Sequence, residues 1–252
     1  PTVPTVVLTT EELIVAIIAI VVGSLLKSIS GLGLPLITIP AVSAVADIET
    51  AVAITALPNL ALNATLAWRE RSSWSDTRDL PVLGLTGFAG AVVGTVALVS
   101  VPEEVLIALL VIVVLAYAIT FFAAPEFTMA RPRAKRLAPA VGLAAGIMQG
   151  AVGISAPIVA SWIHAYRLPR NALVLSVTAL FAMSGAAQLP VLIVNGTMDG
   201  LWWLALGGVV PALATIPAGA RLRTAVSSAS FDRIVVLTVT ASTLGLALRT
   251  LL

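Results

Sequence analysis

A chain of 252 residues that is 59% hydrophobic and 10% charged, with a mean hydropathy of +1.08, has too little polar surface to coat a soluble globule and reads as a bilayer protein. Its net charge of +2 does not point to nucleic acid, because the Lys and Arg residues lie in short loops between apolar runs, where they set membrane orientation. The absence of cysteine excludes disulfides, thiolate metal sites and a Cys nucleophile, and a single histidine, His164, excludes a His-rich metal site, so no cofactor is expected.

The first apolar run, from about Leu13, has no basic leader and no small-residue cleavage site, so it reads as mature protein, with Pro1 as a trimmed N-terminus. The segment 11–46 is too long for one ordinary crossing, and Lys27-Ser28-Ile29-Ser30-Gly31-Leu32-Gly33-Leu34-Pro35 interrupts it. Three runs of crossing length follow at about 50–68, 80–100 and 103–122. Asp47 caps the first, Ser100 and Glu103 offer a capping box for the third, and Arg69 and Arg131 act as stops. A basic stretch, Arg131 to Arg136, precedes the second overlong segment, 137–166, and is an orientation signal with a contact to anionic lipid as a further role. Gln149-Gly150-Ala151-Val152-Gly153-Ile154-Ser155-Ala156-Pro157 repeats the first interruption 122 positions later. Three more crossings are expected at about 171–195, 200–220 and 231–250, with Asp199 before the second of them and Arg221 after it. Trp68, Trp74, Trp202 and Trp203 near span ends match an aromatic belt. Gly84, Gly87, Gly90 and Gly94, and Gly207, Gly208 and Gly219, are spaced for close helix packing.

Each overlong segment is either a full span with a surface piece or a hairpin that leaves on the side it entered. Basic residues discriminate. As hairpins, they put Arg69, Arg71, Arg78, Arg131, Arg133, Lys135, Arg136, Arg167, Arg170, Arg221, Arg223 and Arg233 on one side and Arg249 alone on the other, with Lys27 inside. As plain spans, Arg167, Arg170, Arg221, Arg223 and Arg233 change sides and the bias is lost. The expected fold is therefore an all-α polytopic membrane protein of two inverted repeats, each a broken or re-entrant hairpin plus three transmembrane helices. Residues 1–128 form the first repeat, 129–136 a cytoplasmic basic linker and 137–252 the second, in the cytoplasmic membrane with both termini external. One counterweight is that the arm from Glu12 to Gly31 is long enough to reach nearly across.

In such a hairpin the second arm starts at mid-depth, and its N-terminus carries free N–H groups and partial positive charge. Proline at 35 and 157 suits a first helical turn. Two such ends make an anion cradle, with Gly31, Gly33, Gly150 and Gly153 permitting close approach. Lys27 has no Asp or Glu at comparable depth and would neutralise the anion; the bland alternative is snorkelling, or pairing with the carbonyls that end the first arm. Gln149 is its counterpart in the repeat. Ser28, Ser30 and Ser155 within the motifs, and Asn59 and Asn63 on one face of the next helix, complete the candidate substrate site. Thr178, Ser184 and Gln188 either contribute or hydrogen-bond between helices. Phe181, which aligns with Asn59, reads as packing, and His164 as interfacial with proton coupling as the alternative.

The glycine-rich, proline-terminated break early in each half, the second opening Gly146-Ile147-Met148-Gln149-Gly150 and running through Pro157 to Arg170, resembles the TauE/SafE sulfite exporter family. This likeness covers nearly the whole chain and implies movement of sulfite or organosulfonates across the cytoplasmic membrane. The expected function is a secondary transporter for such an anion, working by alternating access at a midplane site. An anion channel with the same site is the alternative. An intramembrane enzyme is disfavoured, since no placed acid, base or nucleophile is evident. The expected partners are the small anion and membrane lipid. A coupling proton or ion and a homo-oligomer stay open.

Overall fold

The structure, a computed structural model, describes residues 8–30, 33–123, 131–222 and 240. Gly31, the expected crossing at 231–250 apart from Thr240, and the side chains of Ser30, Pro157 and His164 lie outside the described residues. Among the described residues the elements are helical and no strand occurs. In chain order they are α1 (Thr10–Ser30), α2 (Leu34–Ser43), α3 (Ile48–Arg69), a short 3-10 turn (Arg71–Asp76), α4 (Leu80–Leu98), α5 (Glu103–Ala123), α6 (Arg131–Val152), α7 (Ala156–Ala165), α8 (Arg170–Val194) and α9 (Trp202–Leu222). Five stretches, 10–29, 48–69, 80–98, 170–194 and 202–219, are long and apolar enough to cross a membrane. Ile17, Ile18, Leu85, Val93 and Val210 are among their outward-facing apolar residues, as a lipid-facing surface requires. Trp68, Trp74 and Trp203 are exposed near helix ends, and the Arg71 guanidinium lies 4.3 Å over the Trp68 ring.

Both interrupted segments double back. In the first, Thr38 Oγ1 donates to the Ala19 carbonyl at 3.3 Å. A Cβ on Gly23 would sit 2.9 Å from the Leu34 carbonyl oxygen, and one on Gly33 would sit 3.0 Å from Lys27 N, so α2 descends along α1 in antiparallel register. The arm α1 overshoots the start of α2: Gly23 already meets Leu34, so Ser28, which packs on Gly219 of α9, lies beyond it. Its 21 residues, about 31 Å at 1.5 Å per residue, explain the overshoot.

In the second, α6 runs parallel to α4. Added Cβ atoms on Gly142, Gly146 and Gly150 would meet the carbonyls of Leu83, Gly87 and Ala91 in turn. Small residues on both helices let the backbones touch, the main way apolar helices gain contact where lipid is as apolar as their side chains. The end of α7 then returns to the start of α4, where the Tyr166 hydroxyl donates to Asp79 Oδ2 at 2.9 Å and accepts from Trp162 Nε1 at 2.9 Å. Burial, reinforced by that Asp79 hydrogen bond, raises the Tyr166 pKa above the ordinary tyrosine value, so the hydroxyl remains a donor.

Acidic side chains cap and tie one set of helix ends, and Glu70, Asp76 and Asp79 stand between α3 and α4 at the other. Asp47 caps α3, accepting from Thr50 N at 2.7 Å. Glu103 does not close a capping box with Ser100, because α5 begins at Glu103 itself; its carboxylate accepts from Ile48 N at 3.0 Å and ties the starts of α3 and α5. Glu49 accepts from Thr197 Oγ1 at 2.7 Å beyond the end of α8. Arg69, Arg78, Arg131 and Arg170 lie at the opposite ends of these helices. Helices from the two sequence halves interleave, with α3 and α4 packed on α8, and α9 on α1 and α3.

Gly146→Ala places a methyl group on the Gly87 carbonyl, whereas Gly207→Ala meets nothing within 4 Å. The first should destabilise the protein by about 1–3 kcal/mol and lower the melting temperature in detergent. The second should leave it unchanged or slightly raised.

Candidate functional site

The two breaks and the middles of α3 and α8 enclose one cavity. Lys27, Gly33, Pro35, Leu36, Asn59, Gln149, Gly153, Ile154, Ser155, Ala156 and Phe181 line it. A water centre can occupy about 10 Å³ of it, room for roughly one water molecule. Glycine is needed at two positions because Gly33 has φ 148° and Gly153 φ 69°, conformations that other residues rarely adopt. These residues turn the chain from the end of one helix to the start of the next, and no side chain caps α2 at Gly33.

Lys27 is 1% exposed, and its Nζ lies 4.8 Å above the Phe181 ring centroid. A ring face is negative and attracts an ammonium group, an effect worth about 2 kcal/mol when desolvated. No carboxylate lines the cavity. Asn59 Oδ1 accepts from Asn63 Nδ2 at 2.9 Å, and Gln149 Oε1 accepts from Ser155 Oγ at 3.0 Å. Behind the second break, Gln188 Nε2 donates to the carbonyls of Gln149 at 3.1 Å and Gly150 at 3.3 Å, while Gly153 N bonds the Gln149 carbonyl at 3.0 Å. Two carbonyls near the end of α6 are thus satisfied from within, and the start of α7 opens on the cavity.

Of the candidate residues, the structure brings Lys27, Gly33, Asn59, Gln149, Gly153 and Ser155 to one cavity. Three others are near it but not on its wall. Ser28 faces α9, with Oγ 3.1 Å from Thr215 Oγ1. Asn63 stands behind Asn59, its Oδ1 buried without a partner. Gly150 is pressed against Ala91 and Thr95 of α4. Thr178 returns its hydroxyl to the Val174 carbonyl, Ser184 packs at Gly87, and Gln188 serves as the brace described above. The apolar wall, Leu36, Ile154, Ala156 and Phe181, was not among the expected site residues; for Phe181 the available signal was its alignment with Asn59 in the repeat.

A protein-family model described as Sulfite exporter TauE/SafE matches residues 15–246 of the chain. No curated protein matches it, and neither does any solved structure.

Gln188→Leu removes the donor shared by two buried carbonyls at the end of α6. The loss should be about 1–3 kcal/mol, read as a lower melting temperature in detergent with unchanged secondary structure by circular dichroism.

Proposed function

The chain belongs to the TauE/SafE sulfite exporter family, and from that premise we propose that it is a secondary transporter carrying sulfite or a small organosulfonate by alternating access at this cavity. The observation that carries the proposal is Lys27: an ammonium group inside an apolar bundle costs about 3 kcal/mol or more even on mild scales, and the cavity wall supplies no carboxylate to balance it. A substrate anion balances it. The starts of α2 and α7 add N–H groups and positive dipole ends, as anion sites at helix N-termini do. In this reading Lys27, Asn59, Gln149, Ser155 and the backbone about Gly33 and Gly153 touch the anion, and Ser28, Asn63 and Gly150 support from behind.

A channel with the same site would instead need a continuous path across the bundle, and it would pass current without counterflow. The two halves, 1–128 and 137–252, joined by the linker 129–136, are inverted repeats in the cytoplasmic membrane, with the basic helix ends inside and both termini outside. The return of α7 to Asp79, and Arg69, Arg78, Arg131 and Arg170 at the ends of α3, α4, α6 and α8, support that arrangement.

Lys27→Ala should reduce sulfite counterflow in proteoliposomes at least about tenfold, one pairing of a desolvated charge being worth that much, while the protein still elutes as a folded species. Counterflow as fast as in the parent protein would remove Lys27 from the site, and currents without counterflow would indicate a channel. Because the chain has no cysteine, single cysteines report topology cleanly. Arg133→Cys and Arg167→Cys should react with impermeant maleimide from one side, Glu11→Cys and Asp47→Cys from the other.

A further inference from the structure

The hydrogen bonds around the cavity determine which end of each amide faces it. A carboxamide carries its acceptor and its donors on one planar group, so engaging the oxygen from behind turns the NH2 forward. Asn63 Nδ2 engages Asn59 Oδ1 at 2.9 Å, and Ser155 Oγ engages Gln149 Oε1 at 3.0 Å. Asn59 and Gln149 are each 3% exposed and line the cavity. Among the described residues, their amide nitrogens make no hydrogen bond. The carbonyls of Gln149 and Gly150, which would otherwise offer acceptors at the end of α6, are taken by Gln188. Among side chains, the polar wall therefore presents the Lys27 ammonium, Asn59 Nδ2 and Gln149 Nε2 against one hydroxyl oxygen, Ser155 Oγ.

We infer that Asn63 and Ser155 are positioning residues that present Asn59 and Gln149 to the cavity as donors, so that the site prefers oxyanions without a proton of their own over anions of equal charge that carry an O–H. This rests on the anion-transport reading above and narrows it. An oxyanion such as sulfite has only acceptors and satisfies every donor it meets. Hydrogen phosphate sets its O–H against a donor, leaving buried polar groups unpaired, and a site built of hydrogen bonds discriminates strongly on that basis. Asn63 does not itself line the cavity, so its replacement by leucine frees the Asn59 amide to turn without enlarging the space.

The test is equilibrium binding of radiolabelled sulfite to the purified full chain, with hydrogen phosphate as competitor, above the second pKa of both acids so that both are dianions. In the parent protein sulfite should be preferred by at least about tenfold, the lower range for one unpaired buried group. Asn63→Leu should lower that preference about tenfold, whereas a merely structural role would weaken both anions alike; if this variant fails to fold, the smaller Asn63→Ala tests the same point. Hydrogen phosphate competing as well as unlabelled sulfite in the parent protein overturns the inference and leaves transport standing. A preference that is unmoved in the folded variants also overturns it. No sulfite binding in the parent protein removes the transport reading and this one with it.

Discussion

Two helices that start inside an apolar bundle leave backbone groups that cannot be given to water, and the rest of the centre is organised around that constraint. The two sides of the second break are treated differently. The carbonyls that end α6 are taken by Gln188 and by the Gly153 N–H, whereas the start of α7 is left facing the cavity. At the first break α2 likewise begins without a side-chain cap. With the Gln149 and Gly150 carbonyls used internally and two helix starts left open, the centre carries a positive electrostatic bias even before Lys27 is counted. Lys27 strengthens it, held over the face of Phe181 rather than beside an acid.

The positions of these ends depend on backbone contact rather than on side-chain bulk. Gly142, Gly146 and Gly150 lie flat against α4, so the depth of Gln149 follows from the register of α6 on α4. In the first hairpin, Gly23 allows α2 to approach α1 closely. Such contacts are rigid because nothing flexible lies between the two backbones. That rigidity suits a site in which amide groups must face a set direction, and it joins the two halves of the chain, since α4 belongs to the first and α6 to the second. The Asp79–Tyr166–Trp162 hydrogen bonds secure the other end of α7 at the same face.

Much of this was legible in the chain. Glycine and proline within overlong apolar segments marked the breaks, because neither supports an uninterrupted helix and both suit a turn followed by a helix start. Lys27, Gln149, Asn59 and Ser155 stood out as polar groups at apolar depth. Other assignments needed the fold. Spacing of four put Asn63 on the Asn59 face but could not say that it stands behind Asn59 rather than beside it. Ser28 shares the motif with Lys27 yet turns to α9, since neighbouring residues on a helix point about 100° apart. Glu103 read locally as half of a capping box, and a partner 55 positions away claims it instead.

By itself the sequence determined that the chain is a membrane protein, that two of its segments are interrupted at matching places, and that its basic residues favour hairpins there. These follow from composition, period and charge, which are properties of neighbouring residues. Only the tertiary structure decided that both breaks meet at one cavity, that Phe181 lies under Lys27, and that Asn63 and Ser155 engage the amide oxygens of Asn59 and Gln149. Those outcomes depend on atoms from helices far apart in the chain, and the orientation of an amide is set by whichever distant or local donor reaches its oxygen first.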